Sequence, residues 1–223
     1  MAKILLVDDE PDILQLLSYN LAAEGYQLET ARNGRKAIEK ASVFLPDLII
    51  LDLMMPEMDG IEACSEIRKI PELKHCTIAF LTARSEDHSQ IAGLEAGADD
   101  YITKPIKPKV LVSKVKALLR RTDFLISDEL IELHGLTIDR EKYVVRKGKD
   151  KIDLPKKEFE LLALLASAPG KVFSREHILS NIWGSDVIVG DRTIDVHIRK
   201  LREKLGDGLI STVKGVGYKI TEE

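Results

Sequence analysis

Disulfides, membrane spans and a strong overall charge are all missing from this chain. Only two cysteines, Cys64 and Cys76, occur in its 223 residues, and they lack metal-ligand spacing. They read as free thiols in a reducing cytoplasm. No apolar run approaches the roughly 20 residues that a membrane span needs. The first strand starts at Lys3, which leaves no room for a signal peptide. Net charge is only −4, so the chain as a whole does not advertise nucleic-acid binding, and any such function must rest on a local patch. There is no long-period repeat and no low-complexity tract. What remains is ordinary for soluble globular protein, with 44% hydrophobic and 31% charged residues and length enough for about one or two domains.

One stretch organises the first half: Leu48-Ile49-Ile50-Leu51-Asp52, followed by Leu53-Met54-Met55-Pro56-Glu57-Met58-Asp59-Gly60. The apolar run fits a short strand buried on both faces. Pro56 and Asp59-Gly60 then force a loop. An acid is thus held at a strand end beside a loop, although it could equally be a solvated Asp that caps the next helix. Around it the pattern alternates. Strands are expected at Lys3–Val7, Gln27–Ala31, Leu48–Leu51, Thr77–Leu81 and Tyr101–Thr103. Helices are expected after Pro11, after Asn33-Gly34, over Ile61–Ile70, from a Ser85 cap to Ala96, and over Val110–Arg121. Such alternation argues for an α/β fold with a doubly wound parallel sheet of five strands.

The carboxyl ends of those strands carry Asp8 and Asp9, then Asp52, Thr82 and Lys104. Ligands of open parallel sheets bind at that rim. Three carboxylates converging there repel one another unless a cation joins them, and hard oxygen ligands with room for water suit Mg²⁺. A hydroxyl and an ammonium across from the metal complete a site for a phosphoryl group, with Asp52 as nucleophile. A flavodoxin-like FMN site is disfavoured, because the loop after the first strand is Asp8-Asp9-Glu10 and would repel phosphate. A haloacid-dehalogenase-like phosphatase needs a second acid two residues on, and position 54 is Met.

On these residues, together with Leu81-Thr82-Ala83, Gly97-Ala98-Asp99-Asp100-Tyr101 and Lys104-Pro105, the first half resembles the receiver domain of two-component response regulators. The resemblance implies Asp52 as phosphoacceptor and Asp8 and Asp9 as the acidic metal pocket, with the Met54 carbonyl as a further ligand. It also implies Thr82 and Lys104 as phosphoryl contacts, Tyr101 as the rotating aromatic of the switch, and a cis Lys104-Pro105 bond. Dimers of this family form on the face made by helix 85–96, strand 101–103 and helix 110–121. There Gln90 and Val110 replace the usual Lys–Glu ion pair. Asp99, Asp100, Lys114 and Arg121 match the remaining bridges, and Ile91 and Leu94 offer an apolar patch.

From Leu130 the pattern changes to short alternating runs that read as a small antiparallel sheet. Three helices are expected next: one opened by Pro155, one capped by Ser174, and one over Arg192–Leu205. A hairpin around Gly215-Val216-Gly217 closes the chain. On the third helix, Ile194, Ile198, Leu201 and Leu205 share one face, with Arg192, an exposed Val196, Arg199, Lys200 and Glu203 opposite. From Arg192 to Lys219 there are seven Lys/Arg against three Asp/Glu, so this is where the positive charge concentrates. Such a face suits the major groove, but also an ordinary solvated helix. The runs Leu154–Leu162, Val172–Glu176, Ile182-Trp183-Gly184, Arg192–Arg202 and Thr212–Tyr218 resemble the winged-helix effector domain of OmpR/PhoB-type regulators. The resemblance implies a recognition helix with Arg192, Thr193, Val196, His197, Arg199, Lys200 and Arg202 toward DNA, and a wing with Thr212, Lys214 and Tyr218. The segment 184–191 would meet RNA polymerase.

The expected organisation is a receiver at 1–122, a linker at 123–129 and a small α+β winged-helix domain at 130–223. The expected function is a cytoplasmic transcription regulator, not an enzyme. A sensor histidine kinase would phosphorylate it on Asp52 with Mg²⁺, and it would then bind promoter DNA as a homodimer on repeated half-sites. The alternatives are a regulator that dimerises without phosphate and an Asp-nucleophile phosphatase.

Overall fold

The computed structural model describes residues 1–83, 92–119, 130–184 and 191–222, without the side chains of residues 83, 191 and 192. The chain divides into two compact units, Met1–Leu119 and Arg120–Glu223. Among the described residues, no helix is long and apolar enough to cross a membrane.

In the first unit β1 (Lys3–Val7), α1 (Pro11–Ala22), β2 (Gln27–Ala31), α2 (Gly34–Phe44), β3 (Leu48–Asp52), α3 (Gly60–Arg68), β4 (Thr77–Ala83), β5 (Asp100–Lys104) and α4 (Pro108–Leu119) follow one another. The sheet is parallel throughout, in the order β2-β1-β3-β4-β5. Alternate residues of each strand enter two different cores. Leu5, Val7, Ile49, Leu51, Ile78 and Phe80 pack with Ala37, Ala41, Ala63 and Ile67 of α2 and α3. Ile4, Leu6, Leu48, Ile50, Ala79 and Leu81 pack with Leu14, Leu17, Leu111 and Val115 of α1 and α4. Helices therefore cover both faces, which is why the strands read as continuous apolar runs. The helix expected to reach Ile70 ends at Arg68. Ile70 stands before Pro71, is held extended, and a single 3₁₀ turn follows at Pro71–Leu73. Of the helix expected from Ser85 to Ala96, residues 92–96 are described: 92–95 is helical and Ala96 already lies in a turn.

The second unit contains a four-stranded antiparallel sheet, β6 (Leu130–Leu133), β7 (Leu136–Asp139), β8 (Val144–Lys147) and β9 (Asp150–Ile152), in that order. Helices α5 (Lys156–Ala166), α6 (Arg175–Ile182) and α7 (Asp191–Leu205) follow. Every residue of α5 from Lys157 to Ala166 is buried, its charged ones included. Lys157 pairs with Glu160 at 2.7 Å and donates to the Ile182 carbonyl at the end of α6, where the helix dipole favours a cation. The closing hairpin, β11 (Ile210–Val213) and β12 (Gly217–Ile220), is not alone as expected. A two-residue strand, β10 (Phe173–Ser174), adds to β12, giving the order β10-β12-β11. Gly217 permits this, since a Cβ there would collide with the Phe173 carbonyl. So short a strand has no alternation to betray it.

Candidate functional site

The strand order sets the carboxyl ends of β1, β3, β4 and β5 side by side. Asp8 is fully buried, Asp52 is 6% exposed and Thr82, near the end of β4, is buried as well. Lys104 lies between the two acids. Its Nζ is 2.9 Å from Asp8 Oδ2 and 2.7 Å from Asp52 Oδ1, with Glu10 Oε1 farther off at 3.9 Å. Local backbone satisfies the other two carboxylate oxygens. Glu10 N–H donates to Asp8 Oδ1 at 2.9 Å, and Met54 N–H donates to Asp52 Oδ2 at 3.0 Å. Burial raises the Asp52 pKa; the Lys104 ammonium opposes this and the Asp8 charge reinforces it. Burial also pulls Lys104 down, but the two carboxylates outweigh it and hold its pKa above the ordinary lysine value.

The loop after β3 keeps Asp52 at the rim. Gly60 N–H returns to the Leu53 carbonyl at 3.0 Å, and a Cβ at Gly60 would run into the Asp52 carbonyl. Glu57 adopts φ 69° to make the turn, a strained value for a residue with a side chain. Asp52 does not cap the next helix: Asp59 does, accepting from Glu62 N–H at 2.8 Å. Lys104-Pro105 is cis.

Two carboxylates converge here, not three. Asp9 is partly exposed, and among the described residues no three Asp, Glu, His or Cys side chains gather at metal-binding distance. Asp8 directly follows β1 and is buried, whereas Asp9 stands at the bend after it and keeps part of its surface in solvent. The donor set still fits Mg²⁺, which takes one or two carboxylates and keeps several waters. Burial is the main cause of the raised Asp52 pKa, and the Asp8 charge that adds to it is what a divalent cation would relieve.

Of the expected dimer-face residues, the four that are described, Leu94, Asp99, Asp100 and Lys114, are all buried. Asp99 is fully buried, bound by Arg68 Nη2 at 2.6 Å and by Ile78 N–H at 2.8 Å. Arg68 also donates to the carbonyls of Gly97, Leu73 and Cys76. Asp100 is fully buried and pairs with Lys114 at 3.3 Å, while the Lys114 Nζ lies 5.2 Å from the centroid of the half-buried Tyr101 ring. Leu94 is 3% exposed and belongs to the interior. Buried carboxylates demand a partner, and here the same chain supplies it. Val110 alone presents an exposed apolar side chain on α4. Gln90, Ile91 and Arg121 lie outside the described residues, as do the linker 123–129 and most of the segment 184–191.

In the second unit α7 buries Ile194, Ile198, Leu201 and Leu205 as expected. Its buried arc is wider than that stripe, and four expected DNA contacts fall inside it. Thr193 is buried. His197 is fully buried with its ring 5.5 Å from Trp183, so it is part of the core wall and not presented to a phosphate. Lys200 is 9% exposed and, with Lys204, faces the buried Glu158. Val196 is 7% exposed, a short side chain between the longer Arg199 and Lys200 a turn away, so no exposed methyl awaits a thymine. Two further expected contacts are engaged within the protein. Arg202 donates to the Ile210 carbonyl and to Thr212 Oγ1, and Tyr218, 3% exposed, donates to Asp195 Oδ1. The exposed stripe of α7 is Asp195, Arg199 and Glu203, beside exposed Thr212 and Lys214 of the hairpin. The side chain of Arg192 lies outside the described residues. Arg68, Arg175 and Asp195 went unnoticed as organising residues, since a single charged residue at a helix end or on an exposed face carries no pattern.

Comparison with known proteins accounts for both units. Residues 4–116 match the response regulator receiver domain, and residues 148–220 match the transcriptional regulatory protein C-terminal family. The phosphate regulon transcriptional regulatory protein PhoB of Rhizobium meliloti is 41% identical over 99% of both chains. The alkaline phosphatase synthesis transcriptional regulatory protein PhoP of Bacillus subtilis is 40% identical over 99% of this chain and 97% of its own. A solved mutant of RitR superposes with a TM-score of 0.81 at 29% identity, over 100% of each chain. With a lysine-bridged pair of acids at the rim of one unit and a helix-plus-hairpin face on the other, this chain belongs to the OmpR/PhoB family of two-component response regulators, transcription factors and not enzymes.

Proposed function

We propose that Asp52 is the phosphoacceptor and that its phosphorylation by a sensor histidine kinase controls binding of the second unit to promoter DNA. The observation that carries this reading is the Lys104 ammonium held between Asp8 and Asp52, at 2.9 and 2.7 Å. An Asp52 oxygen attacks the phosphorus, an acyl phosphate forms, and the histidine nitrogen leaves. Asp8, Asp9 and Asp52, with the Met54 carbonyl, would hold Mg²⁺, which would neutralise charge on the phosphoryl oxygens. Lys104 and Thr82 neutralise the rest, with Lys104 exchanging its Asp52 contact for a phosphoryl oxygen. As Lys104 and Thr82 shift, Tyr101 turns inward and leaves Lys114, whose pairing with Asp100 must also give way before either can bridge to a second copy.

The product is a homodimer that sets two α7 helices on repeated half-sites, where, among the described residues, Lys214 and Arg199, the latter paired with Glu203 at 3.3 Å, are exposed cations of the hairpin and helix. The segment 184–191 meets RNA polymerase, and the setting is the cytoplasm. Incubation with Mg²⁺ and acetyl phosphate tests the central step. Wild type gains one phosphoryl group, seen by intact mass, and Asp52→Ala gains none. Equal labelling of the two would refute the assignment.

A further inference from the structure

The α7 helix and the β11–β12 hairpin are joined by side chains at two separate points. At one, the Tyr218 hydroxyl donates to Asp195 Oδ1 at 2.5 Å, and Arg175 Nη2 donates to the same carboxylate oxygen at 2.8 Å. Arg175 also donates to the Tyr218 oxygen at 2.9 Å and stacks its guanidinium 4.9 Å from the ring centroid. At the other, Arg202 Nε and Nη2 both reach the Ile210 carbonyl, at 3.1 and 2.8 Å, and Nη2 reaches Thr212 Oγ1 at 2.8 Å.

The placement of these ties is specific. Asp195 and Arg202 are seven residues apart, two turns along one face of α7, or about 10 Å. Their partners Tyr218 and Thr212 lie directly opposite each other across the hairpin, on a single rung. Ile210 and Ile220 anchor the hairpin in the core beside Ile198 and Leu201; the two ties meet it on one rung and add the directional contacts that set its angle to the helix. Within its own sheet the hairpin gains only the two-residue β10, so its orientation depends on contacts to the helices rather than on further strands. Burial and the Asp195 hydrogen bond hold the Tyr218 pKa up at about 12, so the hydroxyl keeps its proton for the tie across the working range.

We propose that these two ties make Asp195, Arg202 and Tyr218 positioning residues for DNA recognition, which set the angle between helix and wing and are not themselves contacts to DNA. The proposal rests on the reading of α7 and the hairpin as the DNA interface. It reassigns Arg202 and Tyr218, and it gives a role to an aspartate that would otherwise face phosphates with the wrong sign.

The test uses the full chain and two probes: a duplex that the unmodified protein selects from a random pool, and a scrambled duplex of equal length. Tyr218→Phe keeps the ring and Arg202→Gln keeps most of the stem. Each should weaken binding to the selected duplex about tenfold, as loss of a charge-assisted hydrogen bond allows, and leave scrambled-duplex affinity and salt slope unchanged. The double variant should be little worse than the poorer single one, because both ties act on the same angle. Without DNA, backbone amides from Ser211 to Lys219 should exchange faster in both variants.

Unchanged exchange in both variants would overturn the proposal whatever the DNA data say. Equal losses on the two duplexes, with the salt slope of Arg202→Gln lowered by about one, would also overturn it, since Arg202 would then be a phosphate contact within an interface that still stands. If Arg199→Ala binds both duplexes as the unmodified chain does while exchange responds to the ties, the interface reading fails and the proposal fails with it.

Discussion

Replacing Lys104 with Met leaves Asp8 and Asp52 facing each other in a site that buries both. Each ion pair, at 2.9 and 2.7 Å, carries a gross attraction of about 6 kcal/mol at an effective dielectric of 20. Desolvation of the ammonium offsets much of this, and removing one partner of a buried pair costs about 3–5 kcal/mol. Lys104 keeps 23% of its side-chain surface exposed, which places the expected loss near the low end, at about 3 kcal/mol. For a unit of this size that lowers the midpoint of thermal unfolding by roughly 12 °C.

The pH dependence has a definite sign. Burial already raises the Asp52 pKa and Lys104 counters it, so without the ammonium the value climbs further. A carboxyl with a raised folded pKa contributes stability at acid pH that is lost as pH rises through that pKa. The deficit of Lys104→Met should therefore be widest near neutrality and close as pH falls toward about 4. Mg²⁺ should stabilise the variant more than the wild type, because a cation is then replaced and not merely added. Urea denaturation of the first unit, with and without Mg²⁺ and across pH, measures all three effects. Equal stability near neutrality, or a deficit that persists at low pH, would refute the reasoning.

Arg68→Met strands the fully buried Asp99, so the first unit should lose about 3–5 kcal/mol in denaturant, and a loss under about 1 would show the pair to be screened by solvent. Lys157→Met should cost the second unit about 3–5 kcal/mol, whereas Lys157→Met with Glu160→Leu should recover most of that, because a matched apolar pair replaces a matched charged one. The Tyr218 phenol should stay protonated until about pH 12, so the phenolate absorbance of wild type should exceed that of Tyr218→Phe only as pH approaches that value. Its folded pKa is raised, so its contribution to stability is full below the ordinary tyrosine pKa and fades as pH climbs through about 12.

The parallel sheet was legible because burial on both faces leaves uninterrupted runs such as Leu48–Leu51, and because Pro and Gly punctuate what lies between. The rim residues were legible for a topological reason: every strand of such a sheet ends on the same side. What escaped is what depends on depth. A helical wheel sorts residues by angle but does not say how wide the buried arc is, and α7 buries Thr193, His197 and Lys200 beyond its apolar stripe. Nor does a motif say which charges are already taken. Asp99 and Arg202 sit within matched motifs, yet Arg68 and the β11 backbone engage them, through contacts 31 and 8 residues distant. Such pairings are set by tertiary geometry, which no local pattern encodes.

Lys104 neutralises two acids from a position 96 residues beyond Asp8. A ribosome therefore delivers both acids well before their shared counter-charge. Strands β1 and β3, which lie adjacent, can pair only by bringing Asp8 and Asp52 toward the same dry rim while nothing yet offsets their repulsion. A sheet without β5 has both acids on its rim and lacks the ammonium that neutralises them in the finished unit. The acceptor pocket is therefore complete only with the last strand of the sheet, which carries its shared counter-charge.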